Sequence, residues 1–296
     1  MDIELLDHDT LELLRDSLAR YGRERYDFES RCARLATPEG FGREAWKDYA
    51  EMGWLAMPQP VEAGGFGSAP QAVGALMEFA GRSLALEPLF ASVVLGGRLL
   101  GLLEGDAGAQ AMLEALAEGR ALIALAHGES DTVPVTDQAA DAPDVVGTRC
   151  EHGRLHGRKR LVLHGDAADF LLVIARDAGG ALRLYQVAGD APGLSRQSFR
   201  LADGRGAAHL PLQGVPGQAL GGDADIGALL ERTYGEACLA LCADTLGASQ
   251  ALNALTLAYL KERRQFGVPI GSYQALQHRM VELYMLETEG RAVLNA

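Results

Sequence analysis

The segment Tyr259–His278, YLKERRQFGVPIGSYQALQH, decides the fold. A helical pattern ends near Arg263, and the glycine and proline residues of FGVPIG interrupt it. Ser272 then provides an N-cap for a second helix, whose apolar face carries Leu276 and Met280. The segment therefore predicts two consecutive helices joined by a tight turn.

The chain divides into three zones when it is followed outward from this segment. Residues 1–118 have helical periodicity. Residues 119–222 carry short β-type runs separated by Gly, Asp and Pro, a spacing typical of a β-sandwich or barrel. Residues 223–296 return to the helical period and stop at Ala296 inside an apolar pattern. We predict an α+β protein with an N-terminal helical domain, a middle β-barrel or sandwich domain and a C-terminal helical bundle that is incomplete here.

Charge and hydropathy exclude several classes of function. The 296 residues carry 27 Lys and Arg against 40 Asp and Glu, a net charge of −13, which argues against nucleic-acid binding. No run reaches the roughly eighteen apolar residues of a membrane helix, and the acidic start MDIELLDHDT does not resemble a targeting peptide, so we expect a cytoplasmic protein. An anionic ligand would need a local basic patch, and the candidates are Arg158-Lys159-Arg160 and Arg263-Arg264.

The sequence predicts no metal site. Cys238 and Cys242 share a helical face but have no His or further Cys nearby, and small core residues in a reducing compartment explain them better. His152 and His156 lie in a strand region without a cluster of carboxylates or thiols. The GGFG stretch has no preceding β-run and lacks the spacing of a dinucleotide fingerprint.

Three islands of sequence resemble the acyl-CoA dehydrogenase family. Tyr259–His278 is similar to the family's Y…R-x-Q-F-G-x-P-I and Q-x-x-Q elements, and the upstream GASQ beginning at Gly247 is similar to its G-A-x-Q. EMGWLAMPQPVEAGGFG at Glu51–Gly67 resembles the family's L-G-W…P-E-x-x-G-G-x-G loop, and Leu155–Arg176 resembles its G-x-K-x-x-I-x-x-G strands. The resemblance implies a three-domain fold, FAD as cofactor, and α,β-desaturation of an acyl-CoA thioester with an electron-transfer flavoprotein as electron acceptor.

The resemblance also assigns cofactor contacts. Arg263 corresponds to an arginine that reaches the flavin pyrophosphate of a neighbouring subunit, and a guanidinium suits phosphate because it binds in a bidentate manner. Phe266 would pack against the adenine side, and Gln274 would hydrogen-bond the cofactor near a helix N-terminus. Ser130 belongs to AHGESD, which corresponds to the family's T-E-P-x-x-G-S-D but is shorter and lacks Thr-Glu-Pro. Leu163 replaces the threonine that contacts the flavin ring, and it has no hydrogen-bonding group.

The catalytic base is the second departure from the family. A carboxylate must take the α-proton as hydride leaves the β-carbon, and most members carry it beyond the position of Ala296. In other members it lies on the long helix, at the position of Ala237. Glu236 is adjacent but rotated by about 100°, and Asp244 lies two turns further on. Glu236 is the candidate base, with a structural role as its alternative.

Two alternatives to a complete acyl-CoA dehydrogenase remain open at this point. The first is a non-catalytic, half-site subunit that completes the active site of a related partner. The second is a flavin-dependent monooxygenase on the same fold. In each case we expect a homo-oligomer or an α2β2 assembly with the long C-terminal helices at the interface, because Arg263 and Phe266 serve a neighbouring subunit's flavin in the family.

Overall fold

The computed structural model describes residues 6–61, 64–67, 69–129 and 146–294. Its helices are α1 His8–Arg25, α2 Phe28–Leu35, α3 Arg43–Glu51, α4 Pro70–Ser83, α5 Arg98–Gly101, α6 Ala107–Ala117, α7 Ile226–Glu262 and α8 Gln274–Leu294. Its strands are β1 Ile123–Ala126, β2 Arg149–Glu151, β3 Arg154–Leu163, β4 Phe170–Arg176, β5 Leu182–Ala188, β6 Gln197–Arg200, β7 Gly206–Pro216, β8 Gln218–Leu220, β9 Arg264–Gln265 and β10 Val268–Pro269.

Helices therefore precede and follow a middle sheet, which confirms the predicted α+β class. The strands of this sheet are hydrogen-bonded in the order β6-β7-β3-β2-β4-β5-β8, and β1 pairs with β4 in parallel. Among the described strands the path is open, because β6 and the three-residue β8 end it on opposite sides. Of the two predicted forms, barrel and sandwich, the described strands therefore do not form a closed barrel.

Contacts along the chain group the residues into two compact units. The first comprises Cys32–Ala69 and Leu86–Ala237 and contains the eight-stranded sheet; the second comprises Leu5–Arg31, Pro70–Ala85 and Cys238–Ala296 and is mainly helical. Each unit thus combines segments that are distant in sequence. The division into three consecutive domains stays a prediction.

In the first unit, a buried π-helical segment, Leu89–Gly97, fixes the position of β1. The Ser92 hydroxyl donates to the Ile123 carbonyl (2.8 Å) and accepts from the Ile123 amide (3.1 Å), so it satisfies backbone groups that face away from β4. Gly96 allows this approach, because a Cβ there would press against the Ile123 side chain at 2.8 Å. The start of β1 is therefore held from two sides.

Lys159 in β3 is fully buried and holds the segment that follows β1. Its ammonium donates to the His127 carbonyl at 3.0 Å and to the Glu129 carboxylate, which also accepts from the Thr148 hydroxyl at 2.6 Å and the Gly147 amide at 2.7 Å. Burial by itself raises the pKa of Glu129, but the charge and hydrogen bonds of Lys159, Thr148 and Gly147 outweigh it and lower that pKa. The Glu129 carboxylate is therefore ionised at neutral pH.

In the second unit, α4 and α7 cross at two glycines. A Cβ on Gly247 would overlap the Glu78 carbonyl oxygen, and one on Gly81 would overlap the Asp244 carbonyl oxygen. Near the crossing, Glu78 pairs with Arg291 of α8, with an Nη2–Oε1 distance of 2.7 Å. The GASQ motif thus has a packing role, because its glycine permits the backbone contact.

No helix in the described ranges is long and apolar enough to cross a membrane.

Two helices begin at an aspartate N-cap. Asp7 caps α1 and Asp106 caps α6 by accepting hydrogen bonds from the amides of Thr10 and Ala109, both at 2.9 Å.

The α4–α7 crossing predicts opposite effects for two glycine substitutions in the same helix. Gly247→Ala should lower the free energy of unfolding by about 1–3 kcal/mol because a backbone must move. Gly235→Ala should raise it by up to about 1 kcal/mol, because nothing lies within 4 Å of the position that the added methyl group would take and alanine favours the helix. Urea titration of both variants tests this; a Gly247→Ala protein as stable as wild type would contradict it.

The buried Lys159–Glu129 pair predicts a pH-dependent stability difference. Glu129→Gln should cost about 3–5 kcal/mol at neutral pH because Lys159 then lacks a counter-charge. The folded pKa of Glu129 lies below its unfolded value, so its contribution is full above the unfolded pKa and is lost as pH falls through the folded one. The destabilisation by Glu129→Gln should therefore begin to shrink as pH falls below the unfolded pKa of 4.5 and should vanish below the folded pKa. Glu118→Gln, at an exposed ion pair, should change little; parallel unfolding curves across pH would refute the assignment.

Candidate functional site

The segment after β1 packs against β3. The Arg160 amide donates to the Gly128 carbonyl at 2.7 Å, beside the Lys159 contact to the His127 carbonyl. This stretch corresponds to the family's T-E-P-x-x-G-S-D segment. Its Ser130, expected to contact the cofactor, lies outside the described residues. The structure therefore fixes only the first half of the segment.

His127 and Tyr234 bring the end of β1 against the first turns of α7. The His127 Nδ1 lies 2.8 Å from the Tyr234 hydroxyl, and the two rings stack with centroids 5.6 Å apart. His127 is buried, whereas Tyr234 is partly exposed. This pair couples a residue of the sheet to the same helical turns that carry Glu236.

Residues 161–164 form an irregular end of β3. The β3–β7 register shifts between Lys159 and Val162, and Leu161 and His164 have positive φ values of 48° and 50°. Leu163 is half-buried opposite Ala207 of β7 and offers an apolar surface without a hydrogen-bonding group. His164 is kept neutral, because burial and then the charges of Arg205 and Arg200 lower its pKa to about 3.

Glu236 is held in a network of two arginines. Its carboxylate accepts from the Arg98 Nε, from the Arg98 Nη2 at 2.7 Å and from the Arg232 Nε at 3.1 Å. Partial burial raises the pKa of Glu236, but hydrogen bonds and charge from Arg98, then from Arg232, outweigh it and lower that pKa. Its neighbour Ala237 is buried, on a different side of α7. A carboxylate bound on both oxygens accepts a proton poorly, so its role as base stays a prediction that this geometry weighs against.

The second unit brings together Arg263, Phe266 and Gln274. β9 and β10 form a hairpin in which Val268 pairs with Gln265 and Pro269 with Arg264. Phe266 and Gly267 occupy its turn with φ values of 53° and 85°, as expected for a two-residue hairpin loop. The Phe266 ring is 94% exposed. Arg263 at the end of α7 and Gln274 at the start of α8 are also exposed, and the Ile270 amide donates to the Arg263 carbonyl at 2.8 Å.

This hairpin presents the chemistry that a flavin dinucleotide needs. A guanidinium and an amide side chain at the start of a 21-residue helix suit a pyrophosphate, and an exposed aromatic ring suits stacking on a purine. Exposure of all three residues fits a ligand held by a neighbouring chain. In the first unit, Leu163 can contact a ring system only through apolar surface. These residues therefore fit the dinucleotide part of FAD, and they leave the ring without the expected hydroxyl.

The structure also contains contacts that sequence reasoning missed. Arg98 and His127 reach their partners in α7 across 138 and 107 residues, and no local spacing signals such pairs. The tripeptide Arg158-Lys159-Arg160 is not one patch, because Lys159 is buried while its neighbours are not; alternation along a strand could have indicated this. No group of three or more metal-ligating side chains occurs in the described part of the chain.

Comparison with known proteins gives the family. The model of the acyl-CoA dehydrogenase N-terminal domain matches residues 8–120, and that of the C-terminal domain matches residues 229–296. Acyl-CoA dehydrogenase IpdE2 of Mycobacterium tuberculosis is 30% identical over 284 residues, covering 96% of this chain and 74% of IpdE2. Benzylmalonyl-CoA dehydrogenase of Aromatoleum aromaticum is 27% identical over 302 residues, covering 96% and 76%.

A solved structure agrees over the same extent. A variant of the Tcur3481–Tcur3483 steroid ACAD superposes with a TM-score of 0.81 at 28% sequence identity, covering 97% of this chain and 76% of that one. The predicted motifs, the helix–sheet–helix order and these relatives all lead to one conclusion: the chain belongs to the acyl-CoA dehydrogenase family, whose members are oxidoreductases that act on acyl-CoA.

Proposed function

We propose that this chain takes part in the FAD-dependent α,β-desaturation of an acyl-CoA thioester and that it does so within an oligomer. The exposed β9–β10 hairpin carries this proposal, because Phe266 at its tip has almost no contact with its own chain. The positive φ of this non-glycine residue carries a backbone cost, and its exposed ring is available to stack on a ligand. The flavin of a neighbouring subunit is the group that its position in the family motif implies.

Each of the three exposed residues on and beside the hairpin has one role in this proposal. Arg263 binds the pyrophosphate, Gln274 donates a hydrogen bond to the dinucleotide from the start of α8, and Phe266 packs against the adenine. When bound, FAD accepts the hydride that leaves the substrate's β-carbon. We propose that the electrons then pass to an electron-transfer flavoprotein.

A half-site subunit is the second candidate, and three observations favour it. Leu163 gives the flavin ring no hydroxyl, and Ala237 occupies the helical position of the base. The ionised carboxylate of Glu236 is paired with Arg98. The Tcur3481–Tcur3483 relative is named for two proteins. In a mixed assembly, the partner's own residues would surround the flavin ring and supply the base. This chain would contribute its hairpin, which contacts the dinucleotide part of the flavin.

The substrate class follows from the same relative. Because the Tcur3481–Tcur3483 protein is a steroid ACAD at 28% identity, we propose a CoA thioester of a steroid-derived acid. Turnover with such a thioester, compared with a straight-chain acyl-CoA of equal carbon number and with dye as acceptor, distinguishes the two classes. Higher turnover of the straight-chain compound would contradict the steroid proposal without affecting the desaturation chemistry.

Arg263→Ala should release flavin from the purified assembly. Loss of a charge-assisted phosphate contact costs about 1.5–3 kcal/mol, or roughly ten- to a hundred-fold in affinity. Arg264→Ala is the matched control, because it removes the same charge from the next residue. Flavin-to-protein ratios after dialysis, with circular dichroism to verify folding, give the result. Equal flavin retention in both variants would mean that the charge of Arg263 interacts only with the helix dipole at the end of α7.

Flavin stoichiometry separates the complete enzyme from the half-site subunit. If the chain is a half-site subunit, it should retain little flavin alone, and its complex with a co-expressed related chain should hold one flavin for every two chains. Leu163→Thr should leave the isolated chain unchanged, because one hydrogen bond contributes only about 1 kcal/mol. Absorbance spectra and light scattering measure both quantities. One flavin for every chain of a homomer would exclude the half-site subunit and support the complete enzyme.

A further inference from the structure

We propose that the outer face of β2, β3 and β7 is a docking surface for an acidic protein partner. We call this surface the basic face and define it by its cationic and imidazole side chains, which are Arg149, Arg154, His156, Arg158, Arg160 and His209. This inference is independent of the flavin chemistry proposed above, because none of these residues belongs to the hairpin or to the Glu236 network.

Strand alternation places these side chains on one face. In β3 the core side carries Leu155 and Lys159, which are buried, so Arg154, His156 and Arg158 project to the opposite side. Arg149 of β2 lies directly opposite His156 in the register. The basic face is thus a row along β3 that widens onto β2.

The row extends onto β7 through His209. The Leu161 amide donates to the His209 Nδ1 at 3.1 Å, which places the ring beside the end of the arginine row. Partial burial and then the charges of Arg160 and Arg158 lower the pKa of His209. Both guanidinium groups therefore act on one imidazole, and this end of the face concentrates positive charge.

This concentration contrasts with the rest of the chain. Residues 149–160 contain five Arg and Lys and one Glu, a local charge of +4, whereas the whole chain carries −13. Without Lys159, which is buried against Glu129, the four arginines and Glu151 still leave +3 on the face. Arg149 and Arg158 make no ion pair within the described residues. The remaining 284 residues therefore carry −17, and the face is a basic island on an acidic molecule.

The dimensions of the face suit a macromolecule. Arg154 and Arg160 are six residues apart on a strand, a span of about 20 Å, which is much longer than one phosphate or carboxylate. Apolar groups lie at the same end as His209: Leu161 is 45% exposed, and the Phe199 ring lies 4.8 Å from the His209 ring. Arginine beside apolar and aromatic surface is typical of protein interfaces.

An acidic protein fits this surface better than a nucleic acid does. The affinity of a protein for a nucleic acid grows with the number of phosphates that its cations neutralise. A row of four arginines on a chain of net charge −13 can neutralise only a few phosphates. A folded acidic surface needs only a matching stripe of carboxylates, and bidentate Arg–carboxylate pairs suit the spacing of side chains on a sheet. Charge complementarity of this kind speeds encounter and selects the partner.

The test uses a fluorescent twenty-residue polyglutamate peptide as the probe for an acidic protein surface, at low ionic strength. The variant R149E/R158E reverses two exposed charges of the face, and R20E/R23E makes the same charge change at two exposed positions of α1. We expect anisotropy titrations to show at least a ten-fold loss of affinity for the first and less than a two-fold loss for the second. Binding should also weaken as salt is added.

Several outcomes would overturn the proposal. Equal losses in the two variants would mean that only net charge matters, and absence of peptide binding by the wild type would remove the docking surface. Tighter binding of a twenty-nucleotide single-stranded RNA would point to nucleic acid, and self-association abolished by R149E/R158E would make the occupant a second copy. R149Q/R158Q, checked by circular dichroism, keeps the test valid if charge reversal prevents folding.

Discussion

The buried ammonium of Lys159 is the constraint on which the sheet unit depends. An unpaired charge at this depth would be prohibitively costly, so the segment after β1 must bring the Glu129 carboxylate and the His127 carbonyl to it. Thr148 joins the network from the start of β2. Residues 127–129, Thr148 and Lys159, which belong to three separate segments, are therefore fixed around one side chain.

Two functional features follow from the direction in which Lys159 points. Because it faces the core, its neighbours Arg158 and Arg160 lie on the opposite side of the strand and form part of the basic face. Because it holds the His127 carbonyl, the imidazole is directed to Tyr234 of α7. The residues around this buried ion pair thus adjoin both the outer surface of the sheet and its contact with the first turns of the long helix.

The sequence predicted the parts of the structure that depend on local chemistry. The turn between α7 and α8 and the order of helices and strands follow from periodicity, glycine and proline positions and the family motifs. Sheet closure could not be predicted, because it depends on whether the edge strands β6 and β8 meet. The pairs Arg98–Glu236 and His127–Tyr234 could not be predicted either, because a contact between residues that are distant in sequence produces no recognisable spacing of residue types.

The Arg98–Glu236 pair also bears on how the chain could act in catalysis. A general base works best when its pKa is near the working pH, and the two arginines move the pKa of Glu236 in the opposite direction. Freeing the carboxylate would leave Arg98, which is largely buried, without its counter-charge, at a cost of several kcal/mol. The local structure therefore stabilises an ionised, hydrogen-bonded Glu236 rather than one ready to accept a proton. Since Ala237 has no ionisable side chain that could replace it, the desaturation proposed above needs a base other than these two residues of α7.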